Sequence, residues 1–344
     1  MNRFEWMNAQ TVLQAAEAAA TTVADAMIRR SGEPLTENAI LLKAGGLDLL
    51  DLMKENLVTP RRLVNLRGAA GLDDIVEEKN GTLRIGSLVT LARLAENPIV
   101  RQRYTALAEA AGASASPQIR HVATLGGNLL QRPRCWYFRS SHHHCARKGG
   151  ESCYAFGGEN QYHAIFDHQG CAIVHPSTAA TALVALGARI ELTMASDIKR
   201  EVLLEEFFRL PEIDIHREND LKPGEIVTAI VLLPMAATIR SVHLKQGEKD
   251  SFDWPIADVA VALNLTPNGT CQNASIVLGA AAPVPHRAKA AEAALSGRQV
   301  NGETARVAGH AALAGSAPLT QNAYKLPIFE TLVRRAVLAA AGGR

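Results

Sequence analysis

No run of apolar residues in this chain approaches the ~20 needed to cross a bilayer as a helix. The opening residues, "MNRFEWMNAQ", have no apolar stretch behind a basic start, so no secretory leader is expected. Basic and acidic residues are interleaved to a formal net charge of +2. There is neither a basic stripe nor an aromatic-rich basic segment, which argues against a nucleic-acid partner. Internal repeats and long low-complexity tracts are also missing. Cysteine is scarce, at five residues in 344, yet four of the five fall between Cys135 and Cys171, where an even spread would place about half a residue.

What is present is an ordinary globular composition, 47% apolar and 20% charged, in a chain too long for one core. Two or three domains are expected. Residues 7–29 are alanine-rich and predict a helix, followed by a polar linker over 30–38. "AILLKAGGLDLLDLMKENL" then gives a short strand, a Gly-Gly turn and a helical period through Leu49, Leu50, Met53 and Leu57. "RRLVNL" and "TLRIGSLVT" predict strands. Residues 91–113 predict helix with a break at Asn97-Pro98. "CAIVHPSTAATALVALGARIEL" reads as strand, cap, helix and strand, "VLLEEFFRLP" as a short helix, and "LKPGEIVTAIVLLP" as a strand entered by a Pro-Gly turn. From about residue 235 three or so strands follow, with a hairpin at Asn268-Gly269, and alanine-rich helices close the chain. The class is α+β in two or three lobes.

Two glycine pairs carry chemistry. In Ala44-Gly45-Gly46-Leu47-Asp48 the pair precedes a helix, a geometry that turns backbone N–H groups toward an anion. It matches neither G-x-G-x-x-G nor a Walker loop. Thr124-Leu125-Gly126-Gly127-Asn128 adds a hydroxyl and an amide. A pyrophosphate held between the two segments would mark a dinucleotide site; the bland reading is two tight turns.

The cysteine stretch poses a different question. It is poor in aliphatic residues, and fixing each backbone residue costs roughly 1–2 kcal/mol. Packing cannot easily offset that, whereas an inorganic cross-link can. Thiolates suit iron–sulfur clusters, zinc or copper(I). The spacing C-x9-C-x7-C-x17-C fits neither the short zinc knuckles nor the compact ferredoxin run. A surface loop with incidental thiols and redox disulfides stay open. His142, His143 and His144 precede Cys145, but three consecutive side chains cannot all face one metal. Cys271, in a strand after Asn268-Gly269, reads as a packed thiol.

Taken together, "KAGGLDLLDLMK", "PQIRHVATLGGNL", "IVHPSTAATALVAL", "LKPGEIVTAIVLLP", "HLKQGEKDSF" and "VLGAAAPVPHRA" resemble, in order, the FAD-binding medium subunit of molybdenum hydroxylases. That family includes xanthine dehydrogenases, carbon monoxide dehydrogenases and aldehyde oxidoreductases. The resemblance implies a FAD-binding fold of two α/β subdomains, residues 1–57 and 58–232, plus a C-terminal domain, 233–344, with a small antiparallel sheet and helices. It implies FAD contacts from Lys43, Ala44, Gly45, Gly46, Leu47, Asp48 and Leu49, largely through backbone N–H groups. Ala123, Thr124, Gly127 and Asn128 match the second pyrophosphate segment. Val227 matches an apolar position near the flavin ring, and Lys245 a lysine close to it. The family's usual Pro-Ser-Asp is here Pro176-Ser177-Thr178, so Thr178 brings one hydrogen-bonding hydroxyl and no charge.

The cysteine stretch resembles the aldehyde oxidoreductase branch whose FAD subunit carries an extra [4Fe–4S] cluster. On that likeness Cys135, Cys145, Cys153 and Cys171, in an insertion at 132–171, are the metal ligands, with His144 the fallback for Cys171. The implied role is electron transfer, with no catalytic base or nucleophile on this chain. The implied partners are a large molybdenum-cofactor subunit, a small subunit with two [2Fe–2S] clusters, and an external electron acceptor. No nucleic acid or membrane span is expected. The implied location is cytoplasmic, or periplasmic if a partner's signal exports the folded assembly. Two rival readings are a self-contained flavin oxidoreductase and a zinc-stabilised assembly module without a redox role.

Overall fold

The computed structural model describes residues 1–19, 21–28, 38–249 and 251–342. The linker expected at 30–38 lies, but for Asn38, outside the described residues. The chain begins with strand β1 (Glu5–Asn8), helices α1 (Val12–Ala18) and α2 (Val23–Met27), strand β2 (Ile40–Lys43), helix α3 (Leu47–Lys54) and strand β3 (Arg62–Asn65). The single helix expected over 7–29 is therefore not formed. Thr11 accepts a hydrogen bond from the Gln14 N–H and Thr22 from the Asp25 N–H, each opening a separate short helix. Met7 and Asn8 belong to β1, because β1 gains a parallel ladder with β3. The sheet order is β1-β3-β2, all parallel. Its central strand lies beyond residue 57, so this sheet runs past the boundary expected there. Leu41, Leu52, Met53 and Leu63 are buried on one face. Each contributes about 1.5–3 kcal/mol. Phe138 and Cys145 pack into the same cluster, which docks the cysteine stretch on this first sheet.

The second unit begins with β4 (Ile75–Glu77) and β5 (Leu83–Gly86). Helices α4 (Leu91–Glu96), α5 (Pro98–Arg103) and α6 (Thr105–Gly112) follow. Asn97 caps α5 with Pro98 in its first turn, which accounts for the break. Then come the short α7 (Pro117–Arg120), α8 (Leu125–Leu129) and α9 (Trp136–Arg139), and the buried α10 (Thr178–Ala185). Strands β6 (Arg189–Thr193) and β7 (Lys199–Leu203), helix α11 (Leu204–Phe207) and strand β8 (Ile226–Leu232) complete it. The five-stranded antiparallel sheet has the order β4-β5-β8-β6-β7. All seven residues of β8 are buried, so "IVTAIVL" is apolar on both faces rather than alternating. Residues 171–175, expected as a strand, form no ladder. They run as a connection held by bonds such as the His175 N–H to the Ala282 carbonyl.

The third unit is an antiparallel sheet of β9 (Ile239–Gln246), β10 (Ala257–Leu265), β11 (Cys271–Gly279) and β12 (His286–Arg287). Helices α12 (Lys289–Leu295), α13 (Gly302–Ala311) and α14 (Lys325–Ala340) follow. Val259, Val261 and Leu263 of β10 face the α14 side, with Phe329, Val333 and Val337. Ala260 and Val277 face the core that holds α6 and α10. Cys271 is fully buried in the first of these cores, the packed thiol expected.

Candidate functional site

The two glycine pairs meet. A Cβ at Gly45 would collide with the Val122 carbonyl oxygen, so the first segment is seated on the residue pair that leads into the second. Gly46 has φ 85° and is the N-cap of α3, a left-handed conformation that favours glycine. It offers no side chain to cap the first-turn N–H groups of α3. Gly126 packs on Ser87, where a Cβ would lie 2.9 Å from that side chain, and its N–H donates to the Ser87 carbonyl. Thr124 Oγ1 accepts from the Gly127 N–H at 3.2 Å, and Asn128 Oδ1 accepts from Ser177 Oγ at 2.6 Å. Thr124 thus fixes the segment's own shape, and Asn128 ties it to the start of α10.

Around this junction opens a cleft of about 550 Å³. All fourteen residues expected to touch the cofactor line it, though they come from five separate stretches of chain: 43–49, 123–128, Thr178 in α10, Val227 in β8, and Lys245. Burial lowers the pKa of both Lys43 and Lys245 below the ordinary lysine value. Lys43 Nζ also sits 5.5 Å from the Trp6 ring centre, and Lys245 Nζ donates to the Ala113 carbonyl at 3.1 Å.

Two members engage their side chains within the protein. The Asp48 carboxylate points to the cysteine stretch: it accepts from the Arg132 N–H at 2.9 Å, from Arg139 at 2.6 Å and from Arg134 at 2.9 Å. Only its backbone N–H, in the first turn of α3, is presented as the resemblance implies. Thr178 Oγ1 lies 2.5 Å from Ser114 Oγ and is 5% exposed, so its hydroxyl is already partnered. The sequence reading missed Phe252 and Trp254, which line the cleft mouth and are largely exposed. Trp254 stacks under Arg134, 4.7 Å from ring centre to guanidinium. Their signal was two aromatics within four residues of a polar turn.

Cys135, Cys145, Cys153 and Cys171 converge. They line one small cavity together with Tyr137, Phe138, Arg147, Tyr154, His163 and Ile173. Burial pushes Cys135 up to about 12. Cys153 hydrogen-bonds to Cys171, which raises the former and lowers the latter, and Arg147 lowers Cys171 further. His163 Nε2 sits 3.3 Å from Cys135 Sγ. The histidine run contributes nothing to the cavity lining; His144, the expected fallback, is solvent-exposed. The histidine beside the thiols is His163, which the sequence reading did not single out.

The donors suit a soft-metal group. Four thiols surround the cavity, and Nη2 of the buried Arg147 and Nδ1 of His163 have no hydrogen-bond partner among the described residues. Among the described residues no three histidine, cysteine, aspartate or glutamate side chains are placed to hold a single metal ion, so the chemistry of the four thiols rather than their spacing carries the fit.

Comparison with known proteins agrees with the architecture. Residues 2–235 match the family described as the FAD-binding domain in molybdopterin dehydrogenase, and residues 242–340 the CO dehydrogenase flavoprotein C-terminal domain. The chain is 36% identical over 286 residues to the aldehyde oxidoreductase FAD-binding subunit PaoB of Escherichia coli, covering 82% of this chain and 86% of that one. It is 26% identical to the putative xanthine dehydrogenase FAD-binding subunit XdhB of the same organism, over 94% and 96% of the two chains. Among solved structures, carbon monoxide dehydrogenase from Hydrogenophaga pseudoflava superposes with a TM-score of 0.73 at 26% identity, covering 99% of this chain and 98% of that one. Fold, cleft and relatives lead to one conclusion: this chain belongs to the family of FAD-binding subunits of molybdenum hydroxylases, and is an oxidoreductase subunit.

Proposed function

We propose that the chain is the electron-transfer subunit of an aldehyde-oxidoreductase or xanthine-dehydrogenase type assembly, with FAD in the cleft and a [4Fe–4S] cluster on the four cysteines. The observation that carries the reading is the convergence of fourteen expected residues, from stretches two hundred residues apart, on one cleft. The α3 N–H groups at Leu47, Asp48 and Leu49 suit a pyrophosphate, since a helix N-terminus favours negative charge. Val227, 4% exposed, supplies an apolar wall, and Lys245 a cation near the ring. Trp254 and Phe252 limit water at the mouth. When bound, FAD supplies exchange of single electrons with iron–sulfur centres and of electron pairs with an acceptor.

The cluster reading rests on four soft donors around one cavity with buried N–H groups beside them. Cys135, Cys145, Cys153 and Cys171 would hold it. Its partners would be a large molybdenum-cofactor subunit, a small subunit with two [2Fe–2S] clusters, and an external acceptor. Three units are proposed along the chain, at 1–57, 58–232 and 233–344, with β3 joined to the first sheet. The test is purification without oxygen, followed by gel filtration and measurement of bound flavin. Gly127→Val should lose flavin, because the added side chain displaces the Thr124 cap and enters the cleft wall. Full flavin in a folded Gly127→Val protein would remove the second segment from the site.

A further inference from the structure

Among the described residues Arg147 is the largest fully buried side chain. Its Nε donates to Cys171 Sγ at 3.3 Å and its Nη1 to Glu218 Oε1 at 2.6 Å. The other oxygen of Glu218 faces Arg132 Nε at 3.2 Å, and that arginine is only 3% exposed in its side chain. One carboxylate therefore serves two buried guanidinium groups. Burying a cation without a matching anion costs several kcal/mol, so this trio is one negative charge short. The sulfur of Cys171 is the remaining acceptor that Arg147 touches. Arg147 and Cys171 line the thiol cavity, whereas Glu218 and Arg132 line the large cleft. The charges form an unbroken buried line between the two centres.

We propose that Arg147, held by Glu218, is a positioning residue that sets the reduction potential of the cluster centre. The inference rests on the cluster reading above. One-electron reduction adds a negative charge to the group held by the thiolates. A buried guanidinium donating to a ligand sulfur stabilises that charge, so it raises the potential. Glu218 has two effects. It orients the guanidinium, and its own negative charge partly cancels the positive field at Cys171. The sign of the response therefore differs between the two residues, and that difference separates tuning from loss of packing.

The experiment uses the full chain purified without oxygen, with iron analysis and an EPR-monitored redox titration. Arg147→Gln is expected to keep iron and to lower the reduced-to-oxidised ratio at a fixed potential about tenfold, a shift of about 59 mV for one electron. Glu218→Gln removes the negative charge but keeps an amide oxygen to accept from Arg147 Nη1, so the guanidinium stays in place and the midpoint should shift in the opposite direction. Arg147→Lys should recover most of the wild-type midpoint. If Arg147→Gln does not retain iron, the Glu218→Gln and Arg147→Lys shifts carry the test. Iron-loaded variants with unchanged midpoints, or Arg147→Gln and Glu218→Gln shifting the same way, would overturn the proposal and leave the cluster reading standing. A wild-type chain free of iron overturns both.

Discussion

Gly45 lies against Val122 so closely that no side chain fits between them, and this contact makes one binding wall of two glycine pairs some eighty residues apart. Gly45→Ala must move the Val122 backbone. We expect a loss of about 1–3 kcal/mol in unfolding free energy, the usual cost of overpacking, together with flavin-poor protein. Gly302→Ala, at a position with open space around its α-carbon, should change neither. Denaturant unfolding and flavin absorbance of the two variants check this. Equal stability of Gly45→Ala and wild type would show that the junction is loose.

Thr178 occupies the position where the resemblance expects an aspartate. Its hydroxyl sits 2.5 Å from Ser114 Oγ at the first turn of α10. Thr178→Asp places a carboxylate where the Ser114 hydroxyl can donate to it and where a helix start favours negative charge. FAD affinity should stay equal or become tighter. A tenfold loss, about 1.4 kcal/mol, would mean that Thr178 is fitted to this site and that the family pattern misleads there.

His175 precedes the same motif. It is buried with its ring edge-on to Phe208, and Nε2 has no partner among the described residues. Burial lowers its pKa to about 3. The folded value lies below the unfolded one, so between them the unfolded chain binds a proton that the folded chain does not, and stability falls as pH drops. From pH 6.5 to 5, where carboxylates titrate little, this one residue should remove about 1.5 kcal/mol. His175→Phe should flatten that part of the curve. Parallel slopes for wild type and variant would contradict the assignment.

The order of elements from β2 onward was largely legible, since apolar period and turn residues mark most of it. The glycine pairs were legible from the residues themselves and Val227 and Lys245 through the resemblance, and the structure brings them to one cleft. What stayed hidden depends on distance in sequence. Glu218 reaches Arg147 and Arg132 across 71 and 86 residues, and no local pattern announces such a partner. The alanine-rich N-terminal stretch misled because helix propensity is a weak prior: Thr11 and Thr22 as caps, and the ladder of β1 with β3, outweigh it. The histidine run drew attention by composition, yet the ring beside the thiols is His163, whose place is fixed by the Asn322 and Lys325 side chains bonding to its carbonyl.

Serine replacements separate the cysteines. Cys135→Ser, Cys145→Ser, Cys153→Ser and Cys171→Ser should each lower iron per chain, since the four thiols share one cavity. Cys271→Ser, in the core between β10 and the C-terminal helices, should cost stability and keep iron. His144→Ala should keep iron as well, because that side chain is exposed. Normal iron in Cys171→Ser together with loss in the other three would remove Cys171 from the ligand set and turn attention to His163.

The most direct measurement is the flavin and iron content of the chain purified without oxygen, read by absorbance and metal analysis on one sample. The account predicts about one FAD and about four iron atoms per chain, with flavin bands above a broad iron–sulfur shoulder. Zinc in place of iron would replace the cluster with a structural metal. A folded chain that takes up no flavin when FAD is supplied would contradict the central claim.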